Sequence, residues 1–168
     1  MDSIRPAVAS DSDAIRRVHC AAFPSAAEAD LVDALRRAQA VCASLVGLAE
    51  DGAVVGHALF SYASLELPRE VLRVAALGPV AVRPGWQRRG VGAELIRAGL
   101  LRCWELQLPA VIVLGHATYY PRFGFRRADT WSIRCGYDVP PEAFMIAWSD
   151  APRSGPGLAK YHPAFGAV

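Results

Sequence analysis

Lysine is almost missing: of the 18 basic residues only Lys160 is not arginine. Excess charge is missing too, with 16 Asp and Glu against those 18 and a net charge of +2. So mild a balance argues against nucleic acid as the main partner. The distribution is slightly uneven. Residues 1–50 carry five Arg and seven acids, residues 51–110 seven Arg and five acids, a bias that suits a small polyanion or an ordinary surface. There is no C-x-x-C. Cys20, Cys42, Cys103 and Cys135 lie far apart, and no His stands at ligand spacing from them. That excludes a zinc ribbon or a disulfide framework and leads us to expect reduced, mostly buried thiols and no metal. Long apolar runs are absent. Val74 to Val82 is interrupted by Gly78 and Pro79 and falls far short of the ~18 residues a membrane span needs. Met1 to Pro6 shows no basic region followed by an apolar one, so we expect no signal peptide, a cytoplasmic location and no membrane partner. Repeats and low-complexity segments are also lacking.

What is present suits a globular chain. It has 168 residues, 53% hydrophobic and 20% charged, enough for one domain over 1–168 with its own core. Residues 149–168 are rich in Pro and Gly; Tyr161 and Phe165 offer anchors by which this tail docks.

Hydrophobic periodicity predicts a short strand at Ile4–Val8, a helix carrying Ile15, Val18, His19 and Ala22 that ends at Phe23-Pro24-Ser25, and a second helix over Glu28–Ala38. Strands at Ser44–Ala49 and Val54–Leu67 flank an Asp51-Gly52 turn, and Val71–Val82 follows the break at Pro68-Arg69-Glu70. Gly90–Leu106 reads as a long helix, with polar Glu94, Arg97, Arg102 and Glu105 in one narrow arc. Pro109 stops it, and Ala110–Leu114 is a continuous apolar run, as in a buried parallel strand. Strand, helix, strand makes a right-handed βαβ crossover. A turn or short helix at Thr118–Phe123 and strand-like pieces at Phe125–Arg127 and Phe144–Trp148 complete the pattern. The fold class is therefore α/β with a mixed sheet.

The most informative stretch is Leu77-Gly78-Pro79-Val80-Ala81-Val82, a loop, then Gln87-Arg88-Arg89-Gly90-Val91-Gly92 opening the long helix. A helix start presents unpaired N–H groups and the positive end of the macrodipole. Gly90 and Gly92 remove side chains where an anion would approach the backbone, and Arg88 and Arg89 add charge. Pro79 cannot donate to a ladder and sits best at a bulge or where two strands part. A strand ending at Val82 that splays from Ala110–Leu114 opens a cleft whose end is this helix start.

The segment L-G-P-V-A-V-R-P-G-W-Q-R-R-G-V-G-A resembles the acetyl-CoA-binding motif, Q/R-x-x-G-x-G/A, of the GNAT superfamily of N-acetyltransferases. V-I-V-L-G-H-A-T-Y-Y-P-R-F-G-F is similar to the family's later strand and Y-x-x-x-G-F motif, and with F-x-x-x-W and Y-x-P-A-F downstream the chain resembles a bacterial subgroup of predicted N-acetyltransferases. The resemblance implies the acyl-CoA N-acyltransferase fold, with splayed fourth and fifth strands in a central mixed sheet flanked by helices. It implies transfer of acetyl from acetyl-CoA to a primary amine on a small molecule or a peptide. The pantetheine chain is then expected along Val80, Ala81 and Val82, and the pyrophosphate at Arg88, Arg89, Gly90, Val91, Gly92 and Ala93. Tyr120 is the expected general acid, with its neighbour Tyr119 the alternative.

The residues themselves leave the general base open among Glu28, His116 and Glu66. His57, mid-strand, reads as a core residue, Cys103 and Trp104 as packing, and Arg122, Arg126 and Arg127 as surface or as 3′-phosphate contacts. Two other functions stay open: a non-catalytic acetyl-CoA sensor or interaction module, and a different anion-binding domain. No acceptor is selected among aminoglycosides, amino acids, peptide N-termini and lysine, and a homodimer is compatible with the sequence.

Overall fold

The structure is a computed structural model that describes residues 3–167. Strand β1 (Ser3–Pro6) leads to helices α1 (Ser12–Ala22) and α2 (Ala27–Arg37), then strands β2 (Val41–Leu48), β3 (Val54–Glu66) and β4 (Val71–Val82). Helix α3 (Val91–Glu105) and β5 (Ala110–Leu114) follow; β6 (Arg126–Arg127), β7 (Ile133–Cys135), β8 (Phe144–Trp148) and β9 (Gly157–Lys160) complete the sheet. Its order is β1-β2-β3-β4-β5-β8-β6, with β9 beside β3 and β7. The β1–β4 meander is antiparallel, while β4 and β5, joined through α3, are parallel.

The expected bounds hold at β4, β5 and β8, and shift by one to three residues at β1–β3 and the helices; β5 is bounded by Pro109 and Gly115, and β4 by Glu70 and Arg83. The turn expected at Thr118–Phe123 is a 3-10 helix at Tyr120–Phe123. The tail is not merely docked: β9 takes β2's place beside β3. β2 pairs as far as Ser61, and β9 pairs from Ser64 to Glu66. Tyr161 then packs edge-on against Phe165, ring centroids 5.0 Å apart.

Alternation along β3 divides the core. Ala58 and Phe60 face α3, joining Leu95, Ile96, Leu100 and Cys103. Leu59 faces α1 and α2, joining Ile15, Val18, Leu31 and Leu35. Fully burying each of the Leu, Ile, Val and Phe side chains contributes about 1.5–3 kcal/mol. Close approach of α3 depends on glycine. A Cβ on Gly99 would overlap the Phe60 ring, and one on Gly56 would stand 2.8 Å from Val91 and 2.9 Å from Leu95. The first turn of α3 thus lies against the start of β3, beside Val82. All four cysteines are free. Cys103 is buried and Cys42 and Cys135 half-buried, but Cys20 is exposed on α1, against the expectation of mostly buried thiols. No helix among the described residues is long and apolar enough to cross a membrane.

Candidate functional site

The sheet opens where the Gly-Pro pair predicts. β4 and β5 pair at Ala75–Val111, Ala76–Ile112 and Leu77–Val113, and pairing ends there. On the β3 side, Leu77 faces Phe60 and Val80 faces Ala58, so Gly78 and Pro79 together stand against Leu59 alone. This is a β-bulge, which bends the strand. Gly78 has a φ of +141°, a conformation that L side chains rarely adopt. Beyond the bulge β4 stays with β3 and leaves β5, which continues beside β8 at Leu114–Phe144.

The freed edge of β4 is polar in a defined way. The Arg83 N–H donates to the Val55 carbonyl on β3 at 2.9 Å. By strand alternation the backbone groups of Val82 and Val80 therefore face the open side, while those of Ala81 face β3. The Gln87 side-chain amide donates to the Val82 carbonyl at 3.0 Å. Among the described residues, the Val80 N–H and carbonyl and the Val82 N–H are left facing the opening.

That edge forms one wall of a cleft of about 880 Å3. Gln87, Arg88 and Gly92 line one end, Ala22, Phe23 and Glu28 a side, and Leu114, His116, Tyr119 and Tyr120 the wall opposite β4. Of the residues expected at the cofactor, Val80, Ala81, Val82, Arg88, Gly92 and Tyr120 line it. Arg89, Gly90, Val91 and Ala93 do not. Arg89 lies over the Trp86 ring, its guanidinium carbon 5.4 Å from the centroid, and Val91 is buried in the core. Gly90 caps α3 in the left-handed region at φ +85°, and a Cβ there would meet open space. The left-handed backbone alone favours glycine here, apart from the room for an anion that the sequence suggests. Among the described residues no group of three His, Cys, Asp or Glu could hold a metal ion.

The two tyrosines occupy different stations. A Cβ on Gly92 would be 3.6 Å from the Tyr119 hydroxyl, so Tyr119 reaches the start of α3. Tyr120 turns the other way and lays its ring on Gly115, just past the end of β5, where the strands part. Burial pushes its phenol up to about 12, with Tyr119 a lesser cause, so it carries its proton at neutral pH. Arg122 donates to the Tyr119 carbonyl at 2.9 Å and covers the Tyr119 ring; Arg127 pairs with Asp129 and Arg126 is exposed.

Among the candidate bases, Glu28 and His116 reach the cleft. One carboxylate oxygen of Glu28 is buried there without a hydrogen-bond partner. His116 is exposed on the turn after β5. Glu66 is excluded by position: it pairs with Lys160 at 2.7 Å, away from the cleft. Phe23, Gln87 and Leu114 had no assigned role; the Gln of Q-x-x-G was the one available signal. His57 is buried as expected, but within a polar chain. Its Nδ1 lies 2.8 Å from His19 Nε2 and its Nε2 lies 2.9 Å from the Ser44 hydroxyl. Burial holds His19 down to about 4 and His57 well below the usual imidazole range, so both rings are neutral.

Known proteins carry the same architecture. The sequence model of the acetyltransferase (GNAT) domain matches residues 3–128. The chain is 38% identical over 143 residues to the uncharacterized N-acetyltransferase YjhQ of Escherichia coli K12, covering 83% of this chain and 77% of YjhQ. It is 31% identical over 164 residues to the uncharacterized N-acetyltransferase YhbS of the same strain, covering 96% and 97%. The crystal structure of E. coli YhbS in complex with CoA superposes with a TM-score of 0.88 at 29% identity, over 98% of this chain and 91% of that one. A GNAT family acetyltransferase from Brucella melitensis, in complex with acetyl-CoA, gives 0.76 at 33% identity over 97% of each chain. With a bulged, splayed β4 running to a glycine-capped helix, and with that match over residues 3–128, the chain belongs to the GNAT family of acetyltransferases.

Proposed function

We propose that the chain transfers an acetyl group directly from acetyl-CoA to a primary amine. The observation that carries this reading is the freed β4 edge, which runs from the bulge at Gly78-Pro79 to the first turn of α3. The pantetheine amides pair with Val80 and with the Val82 N–H, as a strand would. The pyrophosphate rests at the turn and helix start from Arg88 to Ala93, where unpaired N–H groups and the helix dipole favour an anion. Arg88 and Gly92 meet it from the cleft side; Arg89, Gly90, Val91 and Ala93 serve through backbone and charge.

The thioester then lies at the splay, between the bulge and Leu114. A neutral amine attacks its carbonyl carbon. The C–N bond forms as the C–S bond breaks, the nitrogen sheds a proton to a base, and the sulfur takes one from Tyr120. A phenol held near 12 keeps the proton it must deliver. Glu28, with an unpartnered oxygen in the cleft, receives the amine and its proton; His116, at the mouth, is the second group within the cleft able to relay it. No covalent enzyme intermediate is required.

The test is release of free CoA thiol. An enzyme gives thiol in proportion to added primary amine, whereas a sensor of acetyl-CoA binds it and gives none with any amine.

A further inference from the structure

Leu114, at one end of the cleft, also borders a second cavity, of about 390 Å3. The rest of this second lining is Tyr137, Val139, Phe165 and Gly166. Phe165 belongs to the 3-10 segment Pro163–Ala167, which packs against α2, the helix that carries Glu28. The Tyr161 ring braces the aromatic wall, 5.0 Å from Phe165 and 5.7 Å from Tyr137 between centroids. The cavity therefore opens at the end of β5, beside the point where the strands part.

Charge decides what fits. Among the described residues, Glu28 is the one acid lining the cleft, and the second cavity has no charged lining residue. One buried carboxylate oxygen without a partner suits one amine. A second ammonium on the same molecule would enter a space with no charged group among its described lining residues and be desolvated without compensation. An aromatic ring would instead meet Tyr137 and Phe165 in the offset or edge-on contacts that such rings favour.

We propose that this cavity is the acceptor subsite, and that the acceptor is a small monoamine with a ring-sized apolar substituent, an arylalkylamine. Its amine sits at Glu28 and its ring against Tyr137, Val139 and Phe165. The proposal rests on the acetyl-transfer reading above and names its substrate class.

Two measurements test it. Calorimetry first establishes CoA binding and then titrates phenethylamine into the CoA-saturated chain. Thiol release compares phenethylamine, ethylamine and spermidine. A ring that uses an apolar subsite raises kcat/KM over ethylamine by at least about tenfold, the scale of one methylene in such a pocket, and spermidine falls below phenethylamine. Val139→Trp, which fills the cavity, removes this preference and the calorimetric signal of phenethylamine without changing CoA affinity. Should Val139→Trp fail to fold by circular dichroism, Phe165→Ala, which strips the aromatic wall, is expected to remove the preference instead. Equal or better use of ethylamine or spermidine, or a preference that survives the folded variant, overturns the subsite while CoA binding still supports the acetyl-transfer reading. Absence of CoA binding overturns both.

Discussion

At the scale of single residues, the two adjacent tyrosines illustrate how neighbours in sequence acquire different chemistry. Tyr119 reaches the first turn of α3, while Tyr120 is turned onto Gly115 beside the splay. In the proposed reaction it is the hydroxyl at the splay that meets the departing sulfur. Tyr120→Phe is therefore expected to lower kcat by about a hundredfold, the scale of one general acid, with KM for acetyl-CoA little changed. Because the phenol stays protonated to about 12, the rise of rate with pH reports the amine and its base, and the variant keeps that rise. A variant with undiminished kcat would remove Tyr120 from the reaction. That Tyr120 lines the cleft was legible from the Y-x-x-x-G-F resemblance. Phe23 and Leu114 were not, because an apolar residue at the end of a helix or strand looks the same whether it packs a core or walls a cleft. The pairing of His19 with His57 was equally hidden: they are 38 positions apart and meet only when α1 lies on β3.

At the scale of elements, the decisive unit is the bulge, strand end and helix cap from Gly78 to Gly92. Gly90 adopts φ +85° at the cap of α3, where a side chain strains the backbone by about 1–2 kcal/mol. Gly90→Ala should lower the urea midpoint accordingly and weaken acetyl-CoA binding, since the N–H groups of that turn are displaced with it. An unchanged midpoint would show that the cap is not left-handed. This unit was readable because Gly and Pro are strong local punctuation between two apolar runs. β7 and β9 were missed for the opposite reason. They have three and four residues, in a stretch rich in Gly and Pro, and their partners are supplied by distant chain: β9 pairs with β3 at Ser64–Glu66. Short strands with non-local partners leave little periodic signal.

At the scale of the whole molecule, the buried imidazoles couple folding to pH. Burial is the first cause of both downward shifts. In the unfolded chain these rings take up protons near 6.5, while folded His19 resists until about 4. Between those values the unfolded state binds more protons, so stability is full above about 6.5 and falls as pH drops towards 4. His19 alone accounts for about 3 kcal/mol over that window. Urea midpoints measured from pH 7 to 4.5 should decline steadily; a flat profile would mean that the pair is charged or solvated in the folded state.

The same molecule-wide cooperativity gives the most direct test of the cofactor cradle, thermal unfolding with and without acetyl-CoA and with ATP and NAD as controls. A ligand near 100 times its Kd adds about 2.7 kcal/mol, and each kcal/mol moves Tm by about 2–4 °C in a domain of this size. A rise of about 5–10 °C with acetyl-CoA alone is the predicted result. No rise at saturating acetyl-CoA, in folded protein free of copurified CoA, would contradict the placement of acetyl-CoA along β4 and at the start of α3.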